Sequence, residues 1–303
     1  MACRTPNKFF PSITTAALKD GAMKGKVALV TGGGTGIGKA IATIFATLGA
    51  KVAIAARRMD VLEETAKEIR QKTGGVCEAF KLDVKDHKLV TKAFDEIEAK
   101  FGQAPNVVVN NAAGNFIMAT ERLSDNAVST VIDIVLQGTL RVTREAARRC
   151  IKNGIGCAVL CITTPYARAG APFVVPSAVS KAGVEVMCKS LGTEWAKYGM
   201  RFNVIAPGPV PTKGAFGRLS TLSVEDTATL AAERPEEIAN MAAFLCSDYG
   251  TFINGAIIDM DGGQQHFNHG SSFGGPLHDM NNEDWENIEN TIRGRTNKTK
   301  SKM

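Results

Sequence analysis

The stretch with the most evident chemistry is TGGGTGIG, residues 31–38, directly after a short apolar run, Val27 to Val30. Glycines let a backbone turn tightly and approach a pyrophosphate. A helix opening there adds N–H groups and the positive end of its dipole. Gly32, Thr35, Gly36, Ile37 and Gly38 are therefore candidate cofactor contacts, and the alternative is a plain tight strand-to-helix turn. A second constellation lies further on. Tyr166 follows an apolar strand, and Ser177 stands four residues before Lys181. Ser177 can cap a helix starting near Ala178, or it can serve a site. A lysine in a first helical turn opposes the helix dipole, which favours a functional reason for Lys181. Tyr166 is either a loop tyrosine or a hydroxyl donor. Pro165 restricts Thr164 before it to extended backbone.

The elements that must position these groups alternate along the chain. KVAIAARR, CEAFKLDV, NVVVNNAAG, CAVLCIT, RFNVIAPGPV and AIIDMDGG read as strands. Between them run apolar residues at helical spacing: Ile37 to Leu48, Asp60 to Thr73, 87–102, one long helix over 128–154, another over 180–199, and 235–250 opening on Pro235. Strand–helix alternation predicts an α/β fold, a single Rossmann-type doubly wound parallel sheet with helices on both faces. Residues 1–24 read as an N-terminal arm, 25–263 as one domain holding both cofactor and active site, and 264–303 as a C-terminal extension with a basic tail. Within that extension, Asn282 to Ile288 reads as a short helix with Trp285 and Ile288 on one face.

Further candidates sit at strand ends. The second strand ends in Arg57 and Arg58, where an acid would suit the ribose 2′-hydroxyl of NAD. A guanidinium there can pair with a 2′-phosphate, so NADPH is the expected cofactor, with Arg57 the partner and Arg58 a solvated helix-start residue. Asp83 ends the third strand, followed by Val84; it can accept from an adenine amino group or cap the next helix. In NNAAG, small residues let a ring system lie against backbone at Asn111 and Ala112, while Asn110 can equally support the sheet.

Composition narrows the class. The chain has 303 residues, 44% hydrophobic and 22% charged, with formal net charge +6. Much of the excess lies at the two ends, and no basic patch is interleaved with aromatics, so nucleic acid is not an expected partner. Seven cysteines without a CxxC pair suggest free thiols in a reducing compartment, and the four histidines suggest no metal. No apolar run reaches the roughly 18 residues of a membrane span. The final Ser301-Lys302-Met303 is similar to the peroxisomal tripeptide Ser-Lys-Leu, and an acid-poor front end leaves a mitochondrial address as the alternative.

TGGGTGIG, LDV, NNAAG and RFNVIAPGPV together resemble the short-chain dehydrogenase/reductase superfamily over about residues 25 to 263. Within it, NNAAGNFIMATERLS, ITTPYARAGAPFVVPSAVSKAGVE and KGAFGRL look like the 2,4-dienoyl-CoA reductase branch. The superfamily usually carries tyrosine four residues before the lysine. That branch has a serine there and its tyrosine upstream, as here. The resemblance implies that Tyr166 holds the thioester oxygen, Lys181 the nicotinamide ribose, and Ser177 supports near the nicotinamide. It gives Gln137 the place of an asparagine that joins the tyrosine, with the same amide donor on one more methylene. It adds Pro207 and Gly208 to the cofactor contacts, and Asn115 and Phe116 to those of a fatty acyl-CoA substrate. It implies a homotetramer, and a lid over residues 219–235 that is shorter than usual.

Overall fold

The computed structural model describes residues 13–115, 117–208, 210, 235–263, 281–288 and 290. The chain divides into two compact units at Gly263. Seven strands form one sheet: β1 (Val27–Thr31), β2 (Lys51–Ala56), β3 (Val76–Lys81), β4 (Val107–Asn110), β5 (Cys157–Ile162), β6 (Met200–Pro207) and β7 (Ile257–Met260). Every pairing is parallel, in the order β3-β2-β1-β4-β5-β6-β7. Parallel strands covered on both faces read as apolar runs without alternation, and β1 is buried at all five positions. The chain reverses direction across the sheet between β1 and β4, and a crevice opens there beyond the strands' carboxyl ends.

The helices are α1 (Gly36–Thr47), α2 (Met59–Thr73), α3 (His87–Phe101), α4 (Asp125–Ile132), α5 (Gly138–Lys152), the one-turn α6 (Tyr166–Ala169), α7 (Val175–Glu194) and α8 (Pro235–Cys246). They bury two apolar layers. One gathers Phe45, Leu48, Ile54 and Leu62 with Ile238 of α8; the other gathers Phe94, Ile97, Val142 and Phe202. Glycines at positive φ close α2 and α3, at Gly74 and Gly102. The six described cysteines are free and buried.

Residues 13–24 hold no helix or strand and lie on the domain: Asn240 of α8 accepts from Ala17 N and donates to Thr15 O, and Met23 is fully buried. Three expectations of helix bounds need correction. The long helix is not uniform. Its five residues Asp133–Gln137 wind as a π turn between α4 and α5. The expected helix over 180–199 begins five residues earlier, at Val175. Pro176 is tolerated there because the first turn has no use for its missing N–H. Ser177 is thus inside the helix and is not its cap. The last expected helix stops at Cys246, followed by a separate turn, Asp248–Gly250.

In the second unit, residues 282–288 are helical. Asn281 and Asp284 cap the start reciprocally, each side chain accepting from the other's backbone N–H. Trp285 is 44% exposed. None of the described helices is long and apolar enough to cross a membrane.

Candidate active site

The crevice is a cleft of about 390 Å³ lined by Gly32, Thr35, Gly36, Ile37, Arg57, Asp83, Val84, Asn111 and Ala112 among others. Backbone geometry builds its floor. Gly32 and Gly36 adopt φ of 66° and 54°, the left-handed region that favours glycine. Gly38 does not line the cleft and serves it from beneath. A Cβ there would lie 2.4 Å from Gly32 O and 2.6 Å from Asn111 Nδ2, so only glycine lets α1 pass under the loop. The N-terminus of α1 faces the cleft at Thr35, whose side chain makes no capping bond.

Thr31 fastens this floor to the neighbouring strand. Its hydroxyl donates to Val109 O (3.2 Å) and accepts from Asn111 N (3.1 Å) and Ala112 N (3.0 Å). Asn111 Nδ2 returns bonds to Thr31 O and Gly32 O. Asn110 is structural, donating to Thr143 of α5 and to the Cys161 sulfur of β5. Asp83 does not cap α3; Asp86 does, accepting from Lys88 N and Leu89 N. Asp83 instead stays at the cleft wall, where one oxygen accepts from Lys85 N. Arg57 and Arg58 are both exposed and both line the cleft, and Arg58 stands at the N-cap of α2. Pro207 ends β6 and Gly208 follows it, held to β7 by Gly208 N donating to Met260 O; neither is a lining residue of this cleft.

The second constellation forms where β5, α6 and α7 meet. Tyr166 Oη stands 3.3 Å from Ser177 Oγ. Lys181 is buried, and its Nζ donates to Ile162 O at 2.5 Å. Burial pushes the Lys181 ammonium down from 10.5 to about 8, against a smaller upward pull from Cys161. Ser180 is spent on its own helix, donating to Pro176 O. Gln137, last residue of the π turn, is exposed. Gly138 after it lets α5 pass Val84, whose Cγ2 would lie 2.7 Å from an added Cβ. Single-turn π segments recur at functional sites, and nothing in the run DIVLQG announces one.

Asn115 lines the cleft; Phe116 lies outside the described residues, as do the expected lid over 219–234 and Ser301-Lys302-Met303. Ile117 and Met118 are exposed beside that position, and Met118 N donates to Phe173 O. Phe173 has φ 66°, the one positive φ among the described non-glycine residues, and is 55% exposed. Such strain costs roughly 1–3 kcal/mol and concentrates at functional sites. Two residues that sequence reasoning did not single out, Arg168 and Glu185, are linked with Thr163 around this corner. Their separation along the chain follows no period that could have revealed the link.

A glycine-floored crevice at the sheet's point of reversal defines the class: a Rossmann-type dinucleotide-binding fold. Residues 32–265 match the family model described as enoyl-(acyl carrier protein) reductase. A Caenorhabditis elegans protein named probable 2,4-dienoyl-CoA reductase 3, (3E)-enoyl-CoA-producing, is 61% identical over 99% of this chain and all of its own length. A Bacillus subtilis protein named probable 2,4-dienoyl-CoA reductase, (2E)-enoyl-CoA-producing, is 40% identical over 80% of this chain and 97% of its own. The crystal structure of a short chain dehydrogenase from Bacillus anthracis superposes with TM-score 0.72 at 39% identity, covering 82% of this chain and all of the other. The chain belongs to the short-chain dehydrogenase/reductase family.

Proposed function

We propose that the protein reduces a 2,4-dienoyl-CoA thioester to the 3-enoyl-CoA, taking hydride from NADPH. The observation that carries this reading is the Tyr166 hydroxyl, 3.3 Å from Ser177 on the helix that also bears Lys181. The usual family position of the tyrosine is taken by serine, and the Tyr166 phenol on α6 lies beside that serine. Reduction of a simple ketone develops an alkoxide that an adjacent acid must protonate. In a conjugated dienoyl thioester, hydride arrives at the far end of the conjugated system and charge gathers on the thioester oxygen. A donor aimed at that oxygen stabilises the dienolate, and Tyr166 is assigned that role. Protonation then takes place at carbon, next to the thioester. The overall change consumes one NADPH and one proton and yields NADP⁺ and the 3-enoyl-CoA. The relative at 61% identity, whose name specifies the (3E) product, supports this outcome over the (2E) product named for the 40% relative.

Several residues of the chain fit NADPH. Bound, it supplies the hydride. Gly32 and Gly36 give the pyrophosphate a backbone approach at the start of α1, and Arg57 and Arg58 suit a 2′-phosphate. Lys181 is assigned to the nicotinamide ribose and Ser177 to support of Tyr166. Gln137 is assigned as second donor to the thioester oxygen. Ile117, Met118 and Phe173 offer an apolar lip to the acyl chain. A homotetramer is supported by Val175, Val179 and Val186, exposed along one face of α7.

The test is NADPH oxidation by the purified protein with a 2,4-dienoyl-CoA, with product identification. Steady consumption yielding 3-enoyl-CoA is the expected result. A (2E) product would overturn the assignment of the protonated carbon. Absence of consumption in protein that binds NADPH would overturn the substrate.

A further inference from the structure

Tyr166 rides on a helix of four residues, Tyr166–Ala169. One turn does not hold itself together in water, because nucleation costs more than its few bonds return. Something must therefore fix it, and the backbone bonds within it do not reach another element. Ala167 N donates to Thr164 O and Gly170 N to Tyr166 O, both local. Besides the Tyr166–Ser177 contact, the charged anchorage comes from Arg168. Its Nε lies 3.7 Å from Glu185 Oε2 on α7, and its Nη2 donates to Asp259 on β7.

Glu185 is the unusual member. It is 3% exposed, and a carboxylate at that depth is costly unless paired and hydrogen-bonded. It is both. Its Oε1 accepts from Thr163 Oγ1 at 2.9 Å, and its Oε2 faces Arg168. On balance burial raises the Glu185 carboxyl above its ordinary value, and the Thr163 bond and the Arg168 charge offset part of the rise. Glu185 follows Lys181 by one helical turn, and the two residues grip consecutive positions at the end of β5: Lys181 the Ile162 carbonyl, Glu185 the Thr163 hydroxyl. The strand end, the lysine helix and the tyrosine turn are thus joined through one carboxylate. Neither Arg168 nor Glu185 lines the cofactor cleft.

We propose that Arg168 and Glu185 are positioning residues for the reduction, holding α6 so that the Tyr166 hydroxyl stays beside Ser177. The proposal rests on the reading of Tyr166 as the donor to the substrate. A phenol displaced by about an ångström loses its aim at the developing charge, which can cost on the order of 10²-fold in rate. A guanidinium suits this task better than an ammonium because its fork serves two carboxylates at once.

The experiment compares wild type with Arg168→Met, Arg168→Lys and Glu185→Gln in the full-length protein. Arg168 is one-third exposed, so its variants fold even if a buried Glu185 variant does not. Three readouts are taken: amide hydrogen exchange in the peptide spanning 166–170, the NADPH Kd, and kcat and KM with a 2,4-dienoyl-CoA. In Arg168→Met the exchange at 167–170 is expected to quicken about tenfold or more, as for a locally released segment. The kcat is expected to fall about 10- to 100-fold with NADPH Kd within about twofold, and Arg168→Lys to recover part of it. Unchanged exchange at 167–170, or an unchanged kcat in Arg168→Met, overturns the proposal. So does a loss of kcat that is matched by loss of NADPH affinity and of global stability. If wild type turns over no dienoyl-CoA, the substrate reading fails, and amide exchange alone decides whether Arg168 holds the turn.

Discussion

Substituting Lys181 by methionine separates what the lysine does for chemistry from what it costs the fold. In the cofactor-free protein its ammonium is buried, and burial lowers it from 10.5 to about 8. A displacement of that size corresponds to about 3 kcal/mol of differential interaction. The sign follows from proton counting. Between pH 8 and 10.5 the unfolded chain keeps the proton on this lysine more than the folded one does, so stability rises with pH across that window. Below pH 8 the full penalty is present. Lys181→Met abolishes the titration. It also strands the Ile162 carbonyl, at about 1–3 kcal/mol, a cost independent of pH. The stability of wild type minus that of the variant should therefore increase by about 2.5 kcal/mol between pH 7 and pH 10. Titrations remote from Lys181 are common to both proteins and cancel; the Cys161 thiol, which the Lys181 charge helps to lower, is removed by making the comparison in a Cys161→Ala background. The assay is a pair of urea titrations at each pH, compared through midpoints at a common slope. A difference that stays flat within about 0.5 kcal/mol from pH 7 to pH 10 would refute the reasoning, because an ammonium that titrates alike in both states pays no burial penalty.

Three further outcomes follow from the geometry. Tyr166→Phe should lower kcat by about 10²- to 10³-fold, the scale of losing one donor to a developing oxyanion, with NADPH Kd from fluorescence titration nearly unchanged; surviving turnover would remove the tyrosine from the chemistry. Arg57→Ala should raise the KM for NADPH about 10-fold or more and that for NADH little, since only the former carries a 2′-phosphate; equal effects on both would remove that contact. Gly38→Ala places a Cβ 2.4 Å from Gly32 O, which is backbone and cannot swing away. It should cost about 1–3 kcal/mol in a denaturation titration and weaken NADPH binding, and a neutral result would show that α1 can shift.

The sheet was readable because its cause is local. Buried parallel strands are short apolar runs, and amphipathic helices between them force crossovers of one hand. The cofactor loop was readable for the same reason, since glycines at 32 and 38 answer to backbone sterics within a few residues. What escaped depends on contacts distant in sequence. The start of α7 at Val175 escapes because Pro176 in VVPSAVS reads as a break, whereas a proline in the first turn is tolerated. The π turn at Asp133–Gln137 is permitted by Gly138 passing Val84, fifty-four positions earlier. Asp83 and Asp86 are both plausible caps in LDVKD, and only the backbone direction after β3 gives the task to Asp86. The link from Arg168 to Glu185 joins two turns whose separation carries no pattern. The Tyr166, Ser177 and Lys181 roles came from resemblance, and their placement at one corner is a matter of geometry alone.

The cations proposed to meet the cofactor differ in their exposure to ions. Arg57 and Arg58 stand in solvent, whereas Lys181 is buried. Mobile ions screen charges over about 8 Å at physiological strength, and they do so only where water reaches. Added salt therefore weakens the attraction of the guanidiniums for an incoming phosphate and slows capture of the dinucleotide. It leaves the environment of the buried ammonium almost untouched. On the proposed assignment, ionic strength is expected to control cofactor saturation nearly independently of the hydride step, so that an assay at low salt flatters affinity without flattering turnover.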